Sequence, residues 1–279
     1  MDPRLTPARG DIAARFLAGQ VEAARFVEGE AMQCSAGAAA IRRRPEPDAM
    51  QEDQLLFGET FTVYEEKAGW GWGQSGRDGY VGYVAMEALS APVLAPTHRI
   101  RALRTYVFSQ PDLKSAPLFL LSLNAKVRVE GEEGRYRKIA RAGWVAEQHL
   151  APLAEVAPDW VAAAERFLGA PYFWGGRESL GVDCSGLIQS ALEAAGLDAP
   201  RDADMQEQQL GEAVPISLEG LRRGDLVFWK GHVGVMLDAT RLLHANAHHM
   251  ETAIEPLAEA AARIEPLAGP IRAIRRLAI

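Results

Sequence analysis

Cysteine is scarce in this chain: Cys34 and Cys184 are the only two in 279 residues. Two cysteines cannot build a disulfide scaffold, so a reducing compartment is the simpler reading. Long hydrophobic runs are also missing. The stretch from Ile12 to Phe26 is interrupted by Arg15, Gln20, Glu22 and Arg25, which suits neither a secretory signal nor a transmembrane span. A cytoplasmic protein is therefore expected. No extended basic run occurs; Arg42-Arg43-Arg44 is the densest cluster, against a net charge of -7. That balance argues against a nucleic-acid partner and against an anionic membrane. What is present is ordinary for a folded chain, with 48% hydrophobic and 24% charged residues, enough for two or three domains.

Texture divides the chain. Residues 1–31 read as an N-terminal helical extension, because Ile12, Phe16, Leu17 and Val21 fall near helical spacing. Residues 32–92 hold short alternating stretches, among them Thr60-Phe61-Thr62-Val63-Tyr64 and Gly79-Tyr80-Val81-Gly82-Tyr83-Val84, which predict strands between turns. Residues 93–153 repeat the plan and close on Gly143-Trp144-Val145-Ala146, matching Gly82-Tyr83-Val84-Ala85. Two small β-barrels in tandem are expected. Gly71-Trp72-Gly73-Gln74-Ser75-Gly76 satisfies a dinucleotide-binding pattern but has no following helix, so it reads as a glycine-rich hairpin. After a proline-flanked linker, residues 154–279 place helices first and strands afterwards, an α+β domain.

The chemistry centres on Asp183-Cys184-Ser185-Gly186. Apolar residues at Leu187, Ile188, Ala191, Leu192 and Ala195 predict one helix face, with Asp183 as N-cap and Cys184 at the first helical position. Unpaired N–H groups and the helix dipole there favour a thiolate and lower the thiol pKa. A small buried sulfur capping a core helix is the competing reading. A thiol nucleophile needs an imidazole base and a group to orient it. His232 opens one predicted strand and His244 lies in the next, joined by the turn Asp238-Ala239-Thr240-Arg241. Paired antiparallel, the two imidazoles can share one sheet face near the Cys184 helix. His244, His248 and His249 with Cys184 also raise a zinc site, but His-x3-His suits zinc when carried on a helix, and here a strand leads into a loop. No metal and no cofactor are expected.

Several motifs run together in one order: Pro171-Tyr172 with Trp174-Gly175-Gly176, Asp183-Cys184-Ser185-Gly186-Leu187, Arg201-Asp202 with Gln206, Arg223-Gly224-Asp225-Leu226, Gly231-His232-Val233-Gly234 and His244-Ala245. The set resembles the NlpC/P60 cysteine peptidases, and the two preceding blocks resemble bacterial SH3 domains. The resemblance implies a papain-like domain preceded by two small SH3-like β-barrels, with Cys184 as nucleophile, His232 as base and His244 as third residue. It implies that Tyr172 and the Cys184 N–H stabilise the oxyanion. The implied substrate is a murein-derived peptide, cut at the γ-D-glutamyl bond to the diamino acid during cell-wall recycling. Asp202 matches the residue that binds the free amine of the N-terminal L-Ala, with Ser185 assisting. Ala203 stands where the subgroup often has Ser. Tyr80 or Tyr83 of the first SH3-like block, and Glu52 of its variable loop, are further candidate substrate contacts. A thiol amidase or acyltransferase on the same scaffold, and an inert peptide-binding protein, are the alternatives. Oligomeric state is left open.

Overall fold

A computed structural model describes residues 1–278. They fall into two compact units, residues 1–155 and residues 156–278.

In the N-terminal unit the two sequence blocks pair their strands in one order. In the first block Gln51–Leu56, Ala38–Arg42, Val81–Ala85, Trp70–Ser75 and Thr60–Lys67 lie side by side. Glu30–Cys34 and Leu89–Ser90 extend them to a seven-stranded sheet. In the second, Pro117–Ser122, Arg104–Phe108, Trp144–Ala146, Tyr136–Ile139 and Val129–Glu133 form a five-stranded sheet in the matching order. Both leading strands shift register, between Ile41 and Arg42 and between Val107 and Phe108. Past the shift, Arg42 faces Tyr83 as Phe108 faces Trp144. Each closing strand then runs into a 3-10 turn, Met86–Ala88 or Glu147–His149. The repeat expected from pattern is a repeat of topology. Ile41, Leu55, Phe61 and Val84 fill the first core. Leu56 and Phe57 of the first block join Ile100, Val107, Leu121 and Val145 in the second.

Two expectations fail here. The glycine-rich stretch is no hairpin: Trp70–Ser75 is a strand paired on both sides. A Cβ on Gly73 would sit 2.1 Å from the Thr62 carbonyl oxygen, so glycine serves close strand approach rather than a turn. Nor is the N-terminal extension helical. It holds one 3-10 turn, Arg15–Leu17, and a short parallel pair, Ala13–Ala14 with Phe26–Val27. Ile12, Ala13 and Ala14 are buried in succession, which an amphipathic helix would not do, and Pro3, Pro7, Gly10 and Gly19 break the period.

The C-terminal unit opens with α1 (Trp160–Glu165), capped by Asp159, whose carboxylate accepts from the Val161 and Ala162 N–H groups. A short hairpin, β1 (Arg177–Glu178) and β2 (Gly181–Val182), leads into α2 (Cys184–Ala194). Then come α3 (Ala203–Gln209), β3 (Glu212–Val214), β4 (Asp225–Trp229), β5 (His232–Met236), β6 (Arg241–Asn246), β7 (Glu251–Pro256), α4 (Leu257–Ala268) and β8 (Ala273–Arg276). The sheet order is β3-β8-β4-β5-β6-β7, antiparallel throughout. Leu257, Ala260 and Ile264 of α4 pack on Val227, Trp229, Met236 and Leu242. Helix α2 is buried on its polar side too: Gln189 donates to the Ala199 carbonyl and Ser190 to the Arg177 carbonyl. Asp225 is buried at the start of β4, and Arg276 donates to both its oxygens at 2.7 Å. Among the described residues no helix is long and apolar enough to cross a membrane.

Candidate active site

The first turn of α2 is fixed by its cap. Asp183 accepts from the Gly186 N–H at 2.7 Å and from the Gly175 N–H at 2.7 Å. Arg201 closes the carboxylate with two bonds, at 2.9 and 2.6 Å, and gives a third to the Ser185 hydroxyl at 2.9 Å. Gln206, on α3, donates to the Ser185 carbonyl at 2.9 Å. A Cβ on Gly186 would lie 2.1 Å from the Gly176 carbonyl oxygen, so glycine at this position lets the loop bearing Gly175 press onto the helix. Asp183 and Arg201 are both buried, and the two-pronged geometry is the kind that offsets the desolvation of such a pair.

Cys184 thus stands at the N-terminus of α2 and is 6% exposed. The Val233 backbone N–H, at the start of β5, bonds its sulfur, which brings the residue after His232 against the thiol. On the sheet, Nε2 of His232 and Nδ1 of His244 share a hydrogen bond of 2.8 Å. His244 Nε2 meets Glu255 Oε1 at 2.7 Å, and Arg263 donates to the same oxygen. The Trp229 ring packs 5.7 Å from that of His232. Tyr172 lies in the segment before α2, bridged to Val182.

Electrostatics depart from the expectation of a depressed thiol pKa. Burial pushes the Cys184 thiol up to about 12, and Asp183 adds to this; Arg201 and the Val233 and Ser185 N–H groups pull the other way and lose. Burial likewise drives the His232 imidazole down to about 3, with His244 and Arg263 adding and Glu255 opposing. His244 is lowered by burial against the pull of Glu255. The Tyr172 phenol is raised by burial and by neighbouring Cys184 and Asp183. Helix position favours a thiolate, but removing the sulfur from water outweighs it. Thiol and imidazole are each neutral on their own. A proton passing from one to the other creates both charges together, and their attraction is available only then.

Of the residues singled out in the sequence, Tyr172, Cys184, Ser185, His232 and His244 gather here. The Ser185 hydroxyl is engaged, accepting from Arg201 and donating to Asp183. Asp202 takes the N-cap position of α3 without a capping bond from its side chain. Tyr80, Tyr83 and Glu52 lie in the N-terminal unit. Tyr80 is buried in the first core, the Tyr83 hydroxyl accepts from Arg9 at 2.7 Å, and Glu52 pairs with Arg43. Glu255 and Arg263 were not anticipated; the alternation of β7 was the available signal for the first. His244, His249 and Glu255 place potential metal-ligand atoms within 4.8 Å of one another. Arg263 already holds the Glu255 oxygen and Asn246 the His249 Nδ1, so a cation would have to displace a guanidinium.

Residues 169–263 match the family model "NlpC/P60 family", and residues 41–89 match "Bacterial dipeptidyl-peptidase Sh3 domain". The chain is 29% identical over 221 residues to a γ-D-glutamyl-L-lysine dipeptidyl-peptidase of Bacillus subtilis, covering 71% of this chain and 73% of that one. It is 35% identical over 102 residues to dipeptidyl-peptidase 6 of Lysinibacillus sphaericus, spanning 36% of each. In fold it is similar to an NlpC/P60 family protein from Bacillus cereus, with a TM-score of 0.74 at 20% identity, over 88% of this chain and 99% of that one. Fold, motif order and family models agree: residues 169–263 carry an NlpC/P60 domain, preceded at residues 41–89 by a bacterial SH3 domain.

Proposed function

We propose that the protein is a cysteine peptidase that hydrolyses the γ-D-glutamyl bond to a diamino acid in murein-derived peptides carrying a free N-terminal L-Ala. Peptidase activity is supported by the names of both relatives, and a γ-D-glutamyl bond to a diamino acid by that of the Bacillus subtilis one. The observation that carries the cysteine mechanism is the hydrogen-bonded His232–His244 pair, opening beside a thiol that the Val233 N–H already touches.

Cys184 loses its proton to His232 as sulfur attacks the γ-carbonyl carbon. The oxyanion that forms is met by the Cys184 N–H and the Tyr172 hydroxyl. His232 then gives the proton to the leaving amine, and a thioester remains. Water, deprotonated by His232, opens the thioester, releasing the carboxylic acid and restoring the thiol. Asp202, at the N-cap position of α3, receives the substrate ammonium. An acylated amine would leave that carboxylate without its partner, which is how free-amine peptides are selected. Such selectivity suits peptides already released from the wall, and so a recycling role.

The test is hydrolysis of L-Ala-γ-D-Glu-meso-diaminopimelate beside its N-acetylated form, with Cys184→Ala as control. Cleavage of the free-amine peptide alone, lost in the variant, is expected. Equal cleavage of both removes the role of Asp202, and no cleavage of either overturns the reading.

A further inference from the structure

We infer that Glu255, held by Arg263, fixes the proton positions on His244 and His232, so that His232 always presents an unprotonated Nδ1 to the thiol. The inference rests on the proposed nucleophile and base. One side chain comes from each of four consecutive elements, β5, β6, β7 and α4. Glu255 pairs in register with Leu242 and therefore sits diagonally from His244, whose own partner is Ala253; a glutamate spans that diagonal easily. Gly234 clears the neighbouring space, since a Cβ there would stand 3.1 Å from the His244 Cβ.

The direction follows from donor and acceptor rules. A carboxylate only accepts, so the 2.7 Å contact requires the proton of His244 to be on Nε2. A neutral His244 then has a bare Nδ1, which can only accept. The 2.8 Å contact to that atom therefore requires the proton of His232 to be on Nε2. Its Nδ1 is left with a lone pair, and that is the nitrogen able to take the Sγ–H proton. The guanidinium of Arg263 on Glu255 Oε1 keeps the carboxylate ionised. The other titratable neighbour of Glu255 and His244 is His249, whose Nδ1 is occupied by Asn246 Oδ1 at 3.0 Å. Without the carboxylate, His244 can take either tautomer. The Nδ1–H form would force His232 into the tautomer that cannot accept from sulfur. Glu255 is thus a positioning residue, acting through two imidazoles.

The experiment is long-range proton–nitrogen NMR on the full chain labelled with 15N-histidine, near pH 7. Single His232→Gln and His244→Gln variants assign the signals. Both rings are expected as Nε2–H with a bare Nδ1; an Nδ1–H on either in the unaltered protein overturns the inference. Glu255→Leu is expected to mix the tautomers and lower kcat for the free-amine tripeptide by roughly 10²-fold with KM within about threefold. Glu255→Gln keeps an acceptor, so tautomers are retained and kcat stays within about tenfold of the parent. Retention of both tautomers and of full kcat in Glu255→Leu sinks the proposal. The tautomer measurement needs no activity, so it stands apart from hydrolysis surviving in Cys184→Ala, which would sink the nucleophile instead.

Discussion

Replacing Arg201 with methionine removes the two guanidinium bonds to Asp183 and the one to Ser185 while leaving a side chain of similar length in the buried space. Asp183 keeps the N–H groups of Gly175 and Gly186, which satisfy lone pairs but carry no full charge. Breaking one member of a buried pair costs about 3–5 kcal/mol, because the remaining charge is stranded away from water. Against a typical total of about 5–15 kcal/mol, that is a large fraction of the domain's stability. With a urea slope of about 2 kcal/mol per molar, the midpoint should fall by roughly 2 M. Hydrogen exchange with mass spectrometry across a urea series, read on peptides from Val156–Ile279, separates this unit from the N-terminal one. Asp183→Asn combined with Arg201→Met should recover at least half the loss, since the pair is then removed together. A loss under about 1 kcal/mol in Arg201→Met, or strict additivity in the double variant, would refute the idea that the ion pair fixes the α2 cap.

Stability of the same unit should also fall on acidification. His232 binds its proton near pH 3 when folded but near 6.5 when unfolded, so between those values the unfolded chain binds more protons and is favoured. Nothing is lost above about pH 6.5; below it the slope is at most about 1.4 kcal/mol per pH unit for each such histidine, and His244 acts in the same direction. Urea unfolding at several pH values should show the slope shrink in His232→Gln, and an unchanged slope would rule His232 out as its source. In the N-terminal unit, Gly73→Ala places a Cβ 2.1 Å from the Thr62 carbonyl oxygen and should cost about 1–3 kcal/mol by overpacking. Gly10→Ala, with no atom within 4 Å of the added carbon, should be close to neutral when the two variants are compared by thermal unfolding.

Most of the site was legible because its signals are local. The cap, the apolar spacing after Cys184, and two histidines flanking one tight turn are each set by neighbours in sequence, and they fall where the spacing predicts. Glu255 and Arg263 escaped because their effect depends on diagonal and helix-to-strand contacts, and because Pro266 lies inside α4, where proline normally argues against a helix. The thiol pKa was misjudged for a different reason. Sequence reveals that a cysteine heads a helix, but not that burial leaves it 6% exposed, and desolvation decides the sign. Glycines misled in the strand Trp70–Ser75, since the same residue that permits a turn also permits two backbones to close up.

The charges around the proposed nucleophile and base come as two pairs, Asp183 with Arg201 beside the thiol and Glu255 with Arg263 beside the imidazoles. Each pair is neutral in sum, yet each is oriented. Arg201 pulls the thiol pKa down while Asp183 pushes it up; Glu255 raises the His232 pKa while Arg263 lowers it. A neutral thiol and imidazole buried between balanced pairs feel little net bias until the proton moves. The members that favour the charged forms, Arg201 for the thiolate and Glu255 for the imidazolium, are then matched by the two new charges. Removing one member of either pair leaves an unbalanced charge next to groups that are held in low dielectric, where its effect is largest. Single substitutions of Asp183 or Arg201 should therefore disturb thiol reactivity more than removal of both together, in the same sense as the stability cycle on that pair.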